Sequence, residues 1–224
     1  MIKAVLFDMD GVLLDTERLY LQILLDILRE HGYEMDTAFF IRTLGVPNRE
    51  CRQLYTDVYG DDFPYEAVLR RLFLDVQVHI QKHGTPLKSG VKDCMRALKA
   101  RGLKLVLATS CPRYAVENYL RTLPELALLL DGSVCGDEVS QGKPHPEIFI
   151  KAAAIAGQEP AACLGAEDSA SGLRAIRASG AYSVMIPDLL PYSRELAPFT
   201  DIVLKNITEL PPLIDKLNAY SSLL

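Results

Sequence analysis

One long segment of the chain, from Leu14 to about Thr85, has hydrophobic positions that follow a helical period. The period is clearest on a leucine face whose members lie three or four residues apart: Leu21, Leu24, Leu25 and Leu28. Further helical stretches follow Pro47 and Pro64, without the strict polar and apolar alternation of a strand. The pattern therefore predicts that residues 14–85 are all-helical.

The rest of the chain contains short apolar segments that alternate with amphipathic helices. The apolar segments are KAVLFD, LKLVLATS, GSVCG, ACLGAEDS and YSVMIP, and helices are expected near 91–101, 112–122, 146–157 and 170–179. This alternation predicts an α/β fold with a parallel sheet. Because KAVLFD precedes the helical segment, we expect an α/β domain of residues 1–13 and 86–224 with an inserted helical domain of residues 14–85.

Composition and charge narrow the class of protein. The 224 residues, 49% of them hydrophobic, can bury one substantial core and a smaller second domain. The net charge is -5 and the Lys and Arg residues are scattered, so we expect neither a nucleic acid nor a membrane as partner. Five cysteines at irregular spacings argue against a disulfide framework, and the first apolar stretch is too short for a signal peptide. We expect a soluble, cytoplasmic monomer.

Acidic residues follow the first predicted strand, in the segment LFDMDGVLLDTE. Asp8 and Asp10 are separated by one residue, which directs both carboxylates to the same side of the strand end. Carboxylates this close repel one another unless a cation or a charged ligand lies between them. Taken alone, the motif is equally compatible with a solvated strand end that turns at Gly11.

Further polar elements lie at or near the carboxyl ends of other predicted strands, where open α/β sheets bind ligands. They are Ser110 at the end of LKLVLATS, Lys143 in the loop GKPHPEIF, and Glu167 and Asp168 near the end of ACLGAEDS. Each has an ordinary structural explanation: a helix N-cap for Ser110, a solvent-exposed loop lysine, and helix capping by Asp168 or Ser169. Together with the first motif they predict carboxylates that hold Mg²⁺ and a phosphate held by the ion, the hydroxyl and the ammonium group.

The segments DMDGVLLDTE, ATS, GKPHPEIF and EDSASG resemble, in order and spacing, the four motifs of the haloacid dehalogenase (HAD) superfamily. The resemblance is strongest to its phosphatases and β-phosphoglucomutase-like members with a helical cap, subfamily IA, and it spans nearly the whole chain. It implies a Rossmann-like parallel sheet core, the HAD fold, with an inserted all-helical cap domain. It also implies Mg²⁺ as cofactor and a small phosphorylated substrate.

The resemblance implies roles for the acidic residues. Asp8 matches the nucleophile that becomes an aspartyl phosphate, and Asp10 matches the general acid and base. The implied metal ligands are the carboxylates of Asp8 and Asp168 and the main-chain carbonyl of Asp10. The dehalogenase branch lacks the second acid, so the presence of Asp10 argues for a phosphate ester as substrate.

The remaining motif residues surround this acidic group. Ser110 and Lys143 match the positions that hold the phosphate, and Thr109 is a candidate for supporting the site or contacting substrate. Glu167 is either a second metal ligand through water or a residue that orients the ligands. Cys111 begins a predicted helix, where a thiol pKa is lowered, so we expect a reactive thiol without a catalytic role.

Two residues of the helical segment bear on the choice between a phosphatase and a phosphomutase. Tyr20 occupies the position of a histidine in β-phosphoglucomutase relatives and does not shuttle a proton near neutral pH as histidine does. Arg49 matches an arginine with which such mutases grip a second phosphate, although a solvated residue at a helix start is the favoured interpretation. We expect a Mg²⁺-dependent phosphatase for sugar or polyol phosphates. A sugar phosphomutase is the alternative, and a non-catalytic phospho-ligand-binding protein is a remote one.

Overall fold

The computed structural model describes residues 1–44, 46 and 48–221. The chain is divided into two compact units. The sheet unit consists of Met1–Asp15 and Leu87–Leu224, and the helical unit consists of Thr16–Pro86. The helical unit is therefore inserted in the chain after the first strand of the sheet unit.

The helical unit contains helices α1 Thr16–Glu30, α2 Thr37–Thr43, α3 Asn48–Tyr59 and α4 Tyr65–His83. Helix α1 packs against α4, and each presents an apolar face whose residues recur at helical spacing. The buried side chains include Leu24, Ile27 and Leu28 on α1 and Leu72, Val76 and Ile80 on α4. Leu21 and Leu25, which belong to the predicted leucine face, are half-buried. The prediction of helices in this segment is confirmed for its described residues.

Aromatic rings form a large part of the interior of the helical unit. The aromatic cluster comprises Tyr33, Phe39, Tyr55, Tyr59, Phe63 and Tyr65. The ring of Tyr55, a residue only 5% exposed, has its centroid 5.0 Å from that of Phe39 and 5.4 Å from that of Phe63. Such ring pairs contribute about 0.5–1.5 kcal/mol each beyond the area they bury. The cluster therefore stabilises this unit.

A six-stranded parallel sheet forms the centre of the sheet unit. Its strands are β1 Ala4–Phe7, β2 Lys104–Ala108, β3 Gly132–Val134, β4 Cys163–Glu167, β5 Tyr182–Met185 and β6 Ile202–Val203. They are ordered β3-β2-β1-β4-β5-β6, and every residue of β1 is buried, as is typical of a parallel sheet covered on both faces. Strands β1 to β5 confirm the five predicted segments. Strand β6 was not predicted, because two residues are too few to show a period.

Helices α5 Val91–Ala100, α6 Arg113–Arg121, α7 Pro124–Leu129, α8 Glu147–Ile155, α9 Ala170–Ser179 and α10 Leu210–Ser221 complete the sheet unit. The predicted helices correspond to α5, α6, α8 and α9, whereas α7 and α10 were not predicted. Strand and helix residues share one apolar cluster that includes Leu6, Val106, Phe149, Ala152 and Ile176. The predicted α/β class is confirmed. None of the described helices combines the length and the apolar character needed to cross a bilayer.

The strand register brings the predicted motifs to one edge of the sheet. Phe7, the last residue of β1, is paired with Leu107 of β2 and with Ala166 of β4. The chain segments that follow these three strands therefore leave the sheet side by side at its carboxyl edge. Polar residues of these segments lie where an open α/β fold binds its ligands.

Candidate active site

A tight turn after β1 positions the first pair of acids. The N–H of Asp8 donates to the carbonyl of Ala166 at 2.9 Å, so the β1–β4 pairing extends to Asp8. The chain then turns at Gly11, whose φ of 77° is a conformation that residues with a Cβ rarely adopt. An added Cβ at Gly11 would also lie 2.1 Å from Oδ2 of Asp168. Glycine is therefore required both for the turn and for its close approach to Asp168.

Lys143 lies between two buried carboxylates. Its Nζ donates to Oδ1 of Asp8 at 2.5 Å and to Oε1 of Glu167 at 2.7 Å. The side chain of Lys143 is only 4% exposed, so it is not a solvent-exposed loop lysine. The ammonium group offsets the charge of both carboxylates, which would otherwise be costly to bury.

Glu167 is held by donors on both of its oxygens. Besides Lys143 at Oε1, its Oε2 accepts the N–H groups of Asp168 at 2.8 Å and Ser169 at 2.7 Å. Gly172 of α9 is so close that an added Cβ would lie 1.7 Å from Oε1. Ser169 is the N-cap of α9, and its Oγ accepts the N–H of Gly172 at 3.0 Å. The capping interpretation is therefore confirmed for Ser169.

Three carboxylates could together hold a metal ion. Asp8, Glu167 and Asp168 each offer an oxygen, all within 4.8 Å of one another, and all three residues are buried. A donor set made of carboxylate oxygens fits a hard cation such as Mg²⁺. This group contains Asp8 and Asp168 of the predicted ligand set together with Glu167. Asp10 was named for its main-chain carbonyl, and that role stays a prediction.

Burial and charge perturb the acid–base properties of this site. Burial raises the pKa of Asp8 to about 8, with Lys143 opposing the rise and Glu167 and Asp10 adding to it. Burial by itself acts to lower the pKa of Lys143, but the charges of Asp8 and Glu167 outweigh it and raise the pKa. A second cation beside Asp8 would favour its ionised form. The electrostatics of the site therefore suit a bound metal ion.

The loop after β2 carries Thr109 and Ser110. Thr109 is 1% exposed, and its N–H donates to the carbonyl of Val134 at 3.1 Å. Ser110 is exposed, and the N-cap of α6 is Pro112, so the interpretation of Ser110 as a helix cap was wrong. Pro112 has the extended backbone of an N-cap residue, with φ -70° and ψ 156°, so the helix begins at Arg113. The hydroxyl of Ser110 is thus carried by a loop rather than by the helix start.

Cys111 contacts the second acid of the first motif, a feature that the sequence did not reveal. Its Sγ donates to Oδ2 of Asp10 at 3.1 Å across 101 residues of sequence. Burial and the neighbouring Asp10 raise the pKa of the thiol. The expectation of a reactive thiol with a lowered pKa was therefore wrong, because burial and a nearby carboxylate both disfavour the thiolate.

Tyr20 and Arg49 belong to the helical unit. Tyr20 is half-buried on α1, and its ring packs edge-on against that of Phe73 with centroids 6.1 Å apart. Arg49 is exposed in the first turn of α3. The roles of Tyr20 and Arg49 in the choice between a phosphatase and a phosphomutase stay predictions.

Comparisons with known proteins agree with the geometry of the sheet unit. Residues 2–180 match the haloacid dehalogenase-like hydrolase family. A phosphorylated carbohydrates phosphatase of Thermotoga maritima is 32% identical over 178 residues, which cover 80% of this chain and 82% of the relative. Hexitol phosphatase B of Escherichia coli is 27% identical over 214 residues, which cover 93% and 94% of the two chains.

A solved structure extends the similarity to three dimensions. A HAD family hydrolase from Deinococcus radiodurans, with bound phosphate and sodium, is 26% identical and has a TM-score of 0.77. The match covers 93% of each chain. The resemblance inferred from four motifs is thereby confirmed: the chain has the HAD fold and belongs to the haloacid dehalogenase-like hydrolase family.

Proposed function

We propose that this protein is a Mg²⁺-dependent phosphatase that hydrolyses a small phosphorylated metabolite of the sugar or polyol phosphate class. The observation that carries the proposal is the buried group of Asp8, Lys143, Glu167 and Asp168 at the carboxyl edge of the sheet. The relatives named as phosphatases of phosphorylated carbohydrates and of hexitols support this substrate class. In this proposal the sheet unit is the catalytic core and the helical unit is the cap.

In the first step, the carboxylate of Asp8 attacks the phosphorus atom of the substrate. A bond forms between an oxygen of Asp8 and phosphorus, and the bond from phosphorus to the leaving oxygen breaks. Asp10 gives its proton to that oxygen, so the product leaves as an alcohol. The phosphoryl group remains on Asp8 as an aspartyl phosphate.

In the second step, water attacks the same phosphorus atom. Asp10, now ionised, takes a proton from the water as the new phosphorus–oxygen bond forms. The bond between phosphorus and Asp8 breaks, inorganic phosphate is released and the carboxylate of Asp8 is restored. Asp10 is then protonated for the next cycle.

The surrounding residues hold the reacting group and its charge. Lys143 and the hydroxyl of Ser110 bind phosphate oxygens, while Thr109 supports the loop that carries Ser110. Asp168 and Asp8 would hold Mg²⁺, which when bound neutralises charge on the transferring phosphoryl group. Because the three donors described above engage its carboxylate, Glu167 is best explained as the residue that orients Lys143 and the Asp168 loop.

The deciding experiment measures phosphate release from sugar phosphates, polyol phosphates and nucleotides, with Mg²⁺ or with EDTA. We expect Mg²⁺-dependent release that falls by at least about 10⁴-fold in Asp8→Asn. Asp215→Asn is the matched control, because Asp215 pairs with Arg101 on the surface and is 55% exposed. Phosphate release that persists in Asp8→Asn would refute the role of Asp8 as nucleophile. Equal release with EDTA and with Mg²⁺ would refute the metal dependence.

The same samples test the phosphomutase alternative. Conversion of β-glucose 1-phosphate to glucose 6-phosphate is followed in parallel with phosphate release. Isomerisation without release would favour the mutase and a substrate role for Arg49. Release without isomerisation would support the phosphatase.

A further inference from the structure

The contact between Cys111 and Asp10 joins the loop after β2 to the turn after β1. The thiol is the donor, since a carboxyl oxygen such as Oδ2 accepts a hydrogen bond whether the group is ionised or carries its proton on the other oxygen. The Sγ to Oδ2 distance of 3.1 Å is short for a bond with a sulfur donor. The carboxylate that it contacts is the one proposed above as general acid and base.

The backbone of Cys111 is fixed on both sides of this contact. Its N–H donates to Oγ1 of Thr109 at 3.1 Å, and its carbonyl accepts the N–H of Gly136 at 2.8 Å. Thr109 is itself buried and tied to β3 through Val134. The thiol is therefore presented to Asp10 by a segment that is anchored to the sheet.

Close packing of Gly136 restricts the same segment further. An added Cβ at Gly136 would lie 2.1 Å from the carbonyl oxygen of Ser110, so the two backbones are in direct contact. Cys111 thus follows a residue that cannot move toward Gly136 and precedes Pro112, whose φ is fixed by its ring. A side chain held in this way can define the orientation of a carboxylate that it touches.

We propose that Cys111 is a positioning residue, whose thiol holds the Asp10 carboxylate in the orientation from which it protonates the leaving oxygen. This inference rests on the proposed function of Asp10. A general acid has to meet the leaving oxygen within hydrogen-bond distance, and rotation of the carboxylate away from that direction loses its contribution. The role needs only the donor, so a hydroxyl at the same position is expected to substitute for the thiol.

The test compares two leaving groups, because only one of them needs a proton. Glycerol phosphate releases an alkoxide that requires protonation, whereas p-nitrophenyl phosphate releases a stable phenolate. The parameter kcat/KM reports the steps through formation of the aspartyl phosphate. We expect Cys111→Ala to lower kcat/KM for the polyol phosphate by about 10-fold or more and to change it less than about 3-fold for p-nitrophenyl phosphate. Cys111→Ser is expected to recover most of the loss.

Two controls separate positioning from general damage. Cys163→Ala removes a different thiol, which is buried at the start of β4 and bonds the carbonyl of Glu159 at 3.4 Å. It should not change the ratio of the two kcat/KM values. Cys111→Val, which fills the volume without a donor, replaces the alanine variant if the latter does not fold, and it should show the same selectivity.

The outcomes distinguish this inference from the proposed function. Asp10→Asn should show the same selectivity for the polyol phosphate, with a larger loss. If Asp10→Asn is selective while Cys111→Ala affects both substrates equally, or while the serine variant recovers nothing, the role of Cys111 is refuted and that of Asp10 stands. If Asp10→Asn affects both substrates equally, the general acid is refuted and the inference falls with it.

Discussion

The two units of this protein bury different kinds of side chain. Among the described residues, the helical unit buries only two polar side chains, Thr16 and Thr85, and it has the aromatic cluster inside. The sheet unit buries Asp8, Thr109, Glu167, Asp168 and Ser183 in addition to its apolar core. The units thus differ in charge at their interiors as well as in secondary structure.

This difference indicates where the chemistry lies. Burying ring surface stabilises a protein, whereas burying a carboxylate costs free energy unless charges and hydrogen bonds compensate. The sheet unit keeps Asp8, Glu167 and Lys143 together although an apolar group of the same volume would serve stability as well. Charges retained at such a cost point to a site that uses them.

The largest effect on stability is expected for Lys143→Met, which removes the cation between two buried carboxylates. We expect a loss of about 3–5 kcal/mol in the free energy of unfolding at pH 8, measured by urea denaturation without metal. The loss should shrink as the pH falls below about 8, because folded Asp8 then takes up a proton and needs no counterion.

Lys151→Met is the control for this comparison. Lys151 pairs with Glu147 at 2.7 Å, but its side chain is 46% exposed, so its loss should cost less than about 1 kcal/mol. Equal costs for the two lysine variants would mean that the buried charges are not compensated by Lys143.

A smaller effect is expected in the helical unit, where ring volume rather than charge should matter. Tyr55→Ala removes a ring from the aromatic cluster and should lower the free energy of unfolding by about 3 kcal/mol. Tyr55→Phe keeps the ring and loses the hydroxyl, which contacts Met35 Sδ at 3.8 Å and also bonds the side chain of Thr43, so it should cost only about 1 kcal/mol in the free energy of unfolding. Hydrogen exchange in the helical unit measures the loss of stability in each variant. A phenylalanine variant as unstable as the alanine variant would contradict the claim that ring volume stabilises this unit.

The smallest effect is expected for a surface charge of the sheet unit. Asp131 accepts from Lys99 at 2.8 Å and Lys104 at 2.9 Å. Burial by itself acts to raise its pKa, but these ammonium groups and the N–H of Leu105 outweigh it and lower the pKa to about 2. The ionised form therefore stabilises the fold above about pH 4, and this contribution is lost as the pH falls toward 2.

Asp131→Asn should accordingly lower the free energy of unfolding by about 1 kcal/mol at pH 7. The melting temperatures of the variant and the parent protein should converge near pH 2. A difference that stays constant with pH would assign the effect to packing rather than to charge.

The sequence predicted those parts of the fold that follow a period or an ordered motif. The five strand segments and the order of the acidic, hydroxyl and lysine motifs were sufficient for the family and for the edge of the sheet where the site lies. Strand β6 was missed because it has two residues, and α7 because it has six.

Contacts between distant segments could not be predicted in the same way. The partners of Lys143 lie 135 and 24 residues away in sequence, and no local pattern marks a lysine as buried. The contact of Cys111 with Asp10 depends on the strand order, which sets which loops are neighbours. The sequence predicts a helix cap at Ser110 because Pro112 suits the first turn of a helix, whereas the helix begins at Arg113 and Pro112 is its N-cap.

The most direct test of the account is to trap the phosphoryl group on Asp8. Asp10→Asn with p-nitrophenyl phosphate and Mg²⁺ should form the aspartyl phosphate and hydrolyse it slowly, because the leaving group needs no proton but the attacking water does. Borohydride reduction after quenching converts an aspartyl phosphate to homoserine, which peptide mass spectrometry locates. The account predicts a burst of one nitrophenolate per protein and homoserine at position 8. Turnover with the modification at another residue, or with none, would contradict it.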